Sequence, residues 1–318
     1  MSSRALITTI SVLSFILPAL SATIHVPSEI PTIQAGIMVA QPGDTVLIAC
    51  GLYGNSRINM EGGITLRSEN GDPGCVIIDA WNQGSALICY DLGDEPTRVE
   101  GITFCQGVAY DGGGISIWNC QDIVFSNCIF KENEALSGGG VCLSSAQARF
   151  ENCLFWNNAA DTGGAVTALG GGADFINCSF FGNSGNLGAA IRINEGDDFH
   201  LENCILMANT GGHVIQCETA PDLACCDLFA NPGGNWVGPM EELNGVNGNI
   251  GLDPLFCYLE SGDFTLQENS PCRPFSPPNP DCGMIGAWPV ACMGPTSVPE
   301  NSASSEATHW GDLKRRFY

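Results

Sequence analysis

The chain has 318 residues, 44% of them hydrophobic, which is enough apolar surface for a sizeable core and excludes wholesale disorder. Its net charge of −23, with only 11 Lys and Arg, excludes nucleic acid as a partner, because phosphate contacts need clustered cations. That acidity reads first as a solvated surface, and calcium is the one ion it could hold.

Residues 1–22 read as a secretory signal. Arg4 supplies the positive start, residues 5–17 the apolar stretch, and residues 18–22 a small-residue exit, with cleavage after Ser21 or Ala22. No later segment is long and apolar enough for a membrane-spanning helix, so the mature chain is expected outside the membrane. Thr23 to Val26 is predicted as a strand. In PTIQAGIMVAQ, Ile33, Ile37 and Ala40 share one helical face after Pro31, which predicts a short N-terminal capping helix. Pro42-Gly43-Asp44 is a turn and residues 45–49 a strand. Short apolar runs then recur between turn residues at 64–66, 76–78, 86–89 and 99–104, too brief for helices.

From residue 125 the chain repeats itself. Phe125, Phe150, Phe175 and Leu201 each open an x-Asn-Cys unit, with cysteines at Cys128, Cys153, Cys178 and Cys204, a period of 25, 25 and 26 residues. Five positions past each cysteine stand Asn133, Asn158, Asn183 and Asn209, and a Gly-rich run follows every time. Val99, Ile102, Phe104 and Gly107 begin the pattern in degenerate form, while Cys226, Leu228 and Asn231 continue it. A unit of about 25 residues with three short strands is one turn of a single-stranded parallel β-helix, an all-β solenoid whose coils pair about 4.8 Å apart. The aligned cysteines are expected to stack inside as small apolar side chains. Two aligned asparagine rows are expected to form ladders: Asn127, Asn152, Asn177 and Asn203, and separately Asn133, Asn158, Asn183 and Asn209. These are scaffold positions, not catalytic ones.

The alternation of Phe-x-x-Asn (130–133, 155–158, 180–183) with Gly-Gly-x-Ile/Val (113–115, 139–141, 163–166) resembles the repeats of polymorphic outer-membrane proteins. More broadly it resembles the right-handed parallel β-helix, pectin-lyase-like superfamily. The opening PTIQAGIMVAQPGDTVLIACGLYGN is similar to the first segment of bacterial secreted β-helix proteins and of pectinesterases. The resemblance implies a right-handed helix over residues 23–235 and a bacterial, exported protein. Residues 236–293 resemble the closing segment of such proteins and are expected to cap the open end, pinned by disulfides among Cys257, Cys272, Cys282 and Cys292. The vicinal Cys225-Cys226 pair also suggests disulfide chemistry. Residues 294–318 read as a flexible linker and a basic, aromatic tail, a disordered end or a sorting signal.

Enzymes of that superfamily cleave acidic polysaccharides with Asp clusters, calcium, and Arg or His. The nearest set is Asp197, Asp198, His200 and Arg192, without the polygalacturonase Asn-Thr-Asp and Gly-His-Gly companions. Asp174-Phe175-Ile176 echoes a pectinesterase segment without its partners, and the four histidines show no metal-ligand spacing. The expectation is therefore no cofactor beyond a possible calcium ion and no complete catalytic motif. The expected role is structural, adhesive or glycan-binding at the cell surface, with a polysaccharide or surface protein as partner. The alternative is a divergent lyase or glycoside hydrolase acting on uronate chains.

Overall fold

The computed structural model describes residues 21–54, 57–194 and 198–293; the expected signal segment up to residue 20 and the linker and tail from 294 lie outside them. The chain is wound into a parallel β-helix, as the repeat predicts. Alternation drives it: in Ile123–Ser126 the side chains of Ile123 and Phe125 point into the core and those of Val124 and Ser126 point out. At the next residue the chain bends, because Asn127 takes a left-handed φ of 50°, as do Asn152, Asn177 and Asn203 at 53°, 52° and 54°.

Successive coils pair in strict register, so Phe125 faces Phe150 and Phe150 faces Phe175. Among the described residues the strands gather into sheets of 14, 8, 5 and 3 strands. The widest sheet is two columns joined by the long strands Val141–Glu151 and Val166–Ile176. Its first column contains Thr97–Glu100 and Ile123–Ser126, its second Leu87–Tyr90 and Ile115–Trp118. Inside, aromatic rings form two parallel stacks: Phe125, Phe150 and Phe175 at 5.1 and 4.9 Å, and Phe130, Phe155 and Phe180 at 4.7 and 4.6 Å. The two stacks meet edge to face. Cys128, Cys153, Cys178 and Cys204 run beside them, fully buried, each thiol donating to the carbonyl two residues earlier.

The two asparagine rows divide. Asn133, Asn158, Asn183 and Asn209 form a buried amide ladder in which each Nδ2 donates to the next Oδ1 at 2.9–3.0 Å, and the ladder runs on to Asn231 and ends at Asn235. Each Nδ2 also donates to a carbonyl of the preceding coil, as Asn158 does to Phe130. The other row has a different job. Asn127 is exposed, Asn177 donates to the carbonyl of Met284, and what the four share is the left-handed bend rather than a chain of amides.

Both ends of the core are covered. At the first, the helix Ile33–Val39 is capped by Thr32, which accepts from the amide of Ala35, and it buries Ile33, Gly36 and Ile37 over the opening strands. At the other, the 3-10 turn Gly238–Leu243 seats Met240 in the core, with Trp236 and Leu243 beside it. Within the closing segment, the capping falls to residues 238–243. Residues 245–252 complete a partial coil, pairing Asp227 with Ile250, and the chain then folds back along the outer face of the eight-stranded sheet. The reason lies in that face: its outward positions Leu154, Trp156, Phe181, Ile205 and Met207 are apolar and need covering. Phe264 is set among Trp156, Phe181, Phe256 and Trp288, with centroids 5.2–6.1 Å away.

Disulfides join Cys50 to Cys75, Cys225 to Cys282 and Cys257 to Cys292. Cys272, expected in a bridge, is instead a buried free thiol that donates to Asp227 Oδ2 at 3.1 Å. The vicinal pair splits as well, because the left-handed φ of Cys225 turns it toward Cys282 while Cys226 joins the thiol column.

Two measurements test this packing. Asn158→Ala strands the donors of Asn133 in the interior and should cost roughly 2–4 kcal/mol in chemical denaturation. Asn127→Ala, which removes only a favoured left-handed residue, should cost about 1 kcal/mol. Equal losses would refute the division of the rows. Asp227 is fully buried beneath the folded-back segment, and burial raises its carboxyl to about 7 despite bonds from Cys272 and the amide of Leu252. A carboxyl whose folded value lies above its unfolded one adds stability below about pH 4 that is lost as pH rises to about 7. Thermal unfolding of Asp227→Asn should therefore lack a downward slope that the unmodified chain shows across that interval.

Candidate functional site

The described residues among those singled out from sequence do not all share one face. Asp197 lies outside the described residues. Asp198 is exposed at the start of Asp198–Glu202, opposite Gly172. His200 is engaged on the outer face of the first column, with Nδ1 3.1 Å from Asp222 Oδ2 and Nε2 3.7 Å from Glu202. It continues an outward row in which Arg149 pairs with Asp174 one coil away. Arg192 stands on the second column, on Ile191–Ile193, in register with Thr167 and Gln216; burial raises the nearby Cys217 thiol, and the Arg192 charge only opposes that rise. The structure thus spends His200 on its neighbours and keeps Arg192 on a different face.

Among the described residues one His/Cys/Asp/Glu group has ligand atoms close enough for a metal, namely Cys50, Glu69 and Cys75. Its two sulfurs are bonded to each other, and Glu69 accepts from the amide of Cys50. That leaves no ligand set.

A groove elsewhere has the character of a site. After Gly107 and after Asn133, Asn158 and Asn183 the chain forms a four-residue strand, such as Val108–Asp111 or Glu134–Ser137, and these stack with the shorter Thr210–Gly211 as the five-stranded sheet. A glycine run then turns the chain sharply into the second column. Gly112 has φ +63°, and a Cβ on Gly113 would lie 2.5 Å from the carbonyl oxygen of Glu134. Only glycine permits so close an approach. The five-stranded sheet becomes a wall and the second column a floor, so Ser116, Cys142 and Thr167 are buried although they face away from the core. Thr167 Oγ1 donates to the carbonyl of Thr162 across this corner at 2.7 Å.

At its N-terminal end the corner opens into a groove of about 610 Å³. The wall supplies Tyr110 and Asp111, the floor Ile88, Ser116 and Trp118, and Arg57 with Ser85 closes the head. Tyr90 precedes Trp118 in register on the adjacent coil. Tyr90, Tyr110 and Trp118 are 67%, 73% and 41% exposed. Trp118 Nε1 donates to Ser116 Oγ at 2.7 Å, which orients the indole. Burial raises the pKa of the Asp111 carboxyl, and a hydrogen bond from Ser137 opposes the rise. Burial, with the Asp111 carboxylate adding to it, pushes the Cys142 thiol up to about 12, away from the thiolate form that a nucleophile needs. Sequence reasoning missed these residues. The available signal was positional: three residues past Gly-x-Ile/Val, the outward place that holds Ser144 and Leu169 in later coils holds Trp118 here.

The geometry defines a repeat solenoid with an aromatic cleft beside one strand column. The chain belongs to the right-handed β-helix family, whose model for the right handed beta helix region matches residues 29–180 and 85–238. Among solved structures, the pectin methylesterase from Aspergillus niger is similar at 12% identity and a TM-score of 0.34, over 74% of this chain and 91% of that one. A PL6-family alginate lyase is similar at 11% identity and a TM-score of 0.25, over 87% of this chain; the match spans 59% of the lyase. Such identities concern the fold alone. No curated protein matches the sequence. Among the described residues, no helix is long and apolar enough to cross a membrane.

The corner is open to test. Gly113→Ala should cost about 1–3 kcal/mol in denaturant unfolding, since the added methyl meets backbone oxygens on several sides. An unchanged midpoint would show that wall and floor are not held this tightly.

Proposed function

We propose that this chain is an exported β-helix repeat protein that binds a polysaccharide or a cell-surface protein without converting it. One observation carries the reading: the groove is lined by two exposed aromatic rings, Tyr110 and Trp118, with exposed Tyr90 in register beside Trp118 on the adjacent coil, and, among its described lining residues, by a single carboxylate, Asp111. Pockets built for binding combine apolar and aromatic surface with a few polar groups. Hydrolysis of a glycosidic bond in its usual form needs a pair of carboxyl groups across that bond. His200 supports the same reading, because it is committed to Asp222 and Glu202. Three disulfides are in keeping with an oxidising, extracytoplasmic setting.

The test separates holding from turnover. The protein is mixed with insoluble polysaccharides and with polygalacturonate and alginate, with and without calcium. Sedimentation reports binding; reducing ends and the ultraviolet absorbance of unsaturated ends report cleavage. Co-sedimentation without new ends is expected. Cleavage under either condition would replace this reading with that of a divergent lyase or hydrolase, and calcium dependence would identify the ion.

A further inference from the structure

The groove at Trp118 is narrower in its chemistry than a general glycan site. Resting on the binding reading above, we infer that it takes a neutral pyranose chain, laid along the solenoid axis over Tyr90 and Trp118 and hydrogen-bonded by Asp111 and Arg57.

The aromatic strip comes first. Tyr90 and Trp118 occupy the same register position on successive coils, so their attachment points are one strand spacing apart, about 4.8 Å. Together they make an apolar strip that runs along the axis rather than across it. Tyr110 stands on the adjoining wall, the most exposed of the three. On the eight-stranded sheet the outward rings Trp156 and Phe181 lie beneath Phe264 of the folded-back segment. Among the described residues, the rings of the groove have no such cover.

Orientation comes next. The one donor of the Trp118 indole is already given to Ser116 Oγ, so what the ring presents to a ligand is its face. An aromatic face suits a partner with a flat apolar C–H surface and polar edges. A pyranose ring is built that way. Its edge hydroxyls need both acceptors and donors, and the groove holds the Asp111 carboxyl, the Arg57 guanidinium and the Ser85 hydroxyl within one lining.

Charge selects the class of sugar. The groove sets one cation, Arg57, against one carboxylate, Asp111, so it has no net positive field of its own. The whole chain carries −23. A polyuronate approaching this surface meets repulsion that one guanidinium does not offset, whereas an uncharged chain does not. The face is also distinct from the outer face of the first column, where Arg149 pairs with Asp174 and His200 with Asp222.

The experiment titrates the full chain with neutral hexasaccharides built on glucose, mannose, galactose or xylose, and with hexagalacturonate, following heat and indole fluorescence. At least one neutral hexasaccharide should bind. Trp118→Ala and Tyr110→Ala should each weaken that binding by at least about tenfold, with Asp111→Asn in the same direction. Tyr258→Ala, an exposed ring on the folded-back segment, should leave it unchanged, and equal thermal midpoints confirm that the variants fold. Failure of every neutral hexasaccharide at millimolar concentration, or binding indifferent to all three groove variants, would overturn the inference. Tighter binding of hexagalacturonate, lost in Arg57→Ala, would overturn the neutral assignment while sparing the binding reading. Polymer cleavage that persists in Trp118→Ala would overturn the binding reading while leaving the groove's ligand to be judged by the titration.

Discussion

Pairing of each coil with the next, in unbroken register, is the constraint on which this molecule depends. Each strand finds its partners one turn up and one turn down the same chain, so the backbone is satisfied only if every coil has matching corners. Identical side chains are thereby brought into line, and small pairwise energies add along the axis. The phenylalanine stacks, the thiol column and the amide ladder are three outcomes of that alignment. Where the ladder loses its asparagine, as at Gly107, the backbone amide still donates to Asn133 Oδ1, so the series has a defined beginning.

A structure built by stacking has two open ends and long faces. The ends are closed by small devices, a seven-residue helix at one and Met240 on a short 3-10 turn at the other. The faces are treated differently according to their outward residues. The first column carries charges paired between coils, the eight-stranded sheet carries apolar residues and is covered by residues 253–292, and the second column is partly walled in by the five-stranded sheet. Asp227 shows what covering entails: an outward position that would have been wet becomes buried, and its carboxyl is pushed toward neutrality.

Much of this was legible in the sequence because period is a local property. The capping helix, the coil length, the stacked Phe and Cys positions and the extra coil at Cys226 and Asn231 all followed from counting. Two rows of asparagine at the same spacing looked equivalent, however. They differ because Asn133 sits at a buried corner and Asn127 at an exposed bend, which counting alone does not reveal. The disulfide partners Cys225 and Cys282 are 57 residues apart, and Cys272 went unpaired because Asp227, on a distant coil, stands beside it. The groove was hidden for a similar reason: it exists through the angle set by Gly112, Gly113 and Gly114, and Trp118 is notable only once outward positions are compared coil by coil.

The thiol column has a consequence for how the chain is made. Eleven cysteines stay reduced in a protein that also closes three bridges, so both sets meet the same oxidant during synthesis. Neighbouring strands hold Cα atoms at separations compatible with cross-linking, and Cys50 and Cys75, 4.5 Å apart, show that coils can be joined in this way. What shields Cys128, Cys153, Cys178, Cys204 and Cys226 is concealment. Each of these sulfurs is covered by the coil that follows it, so an oxidant reaches it only where that coil is not in place.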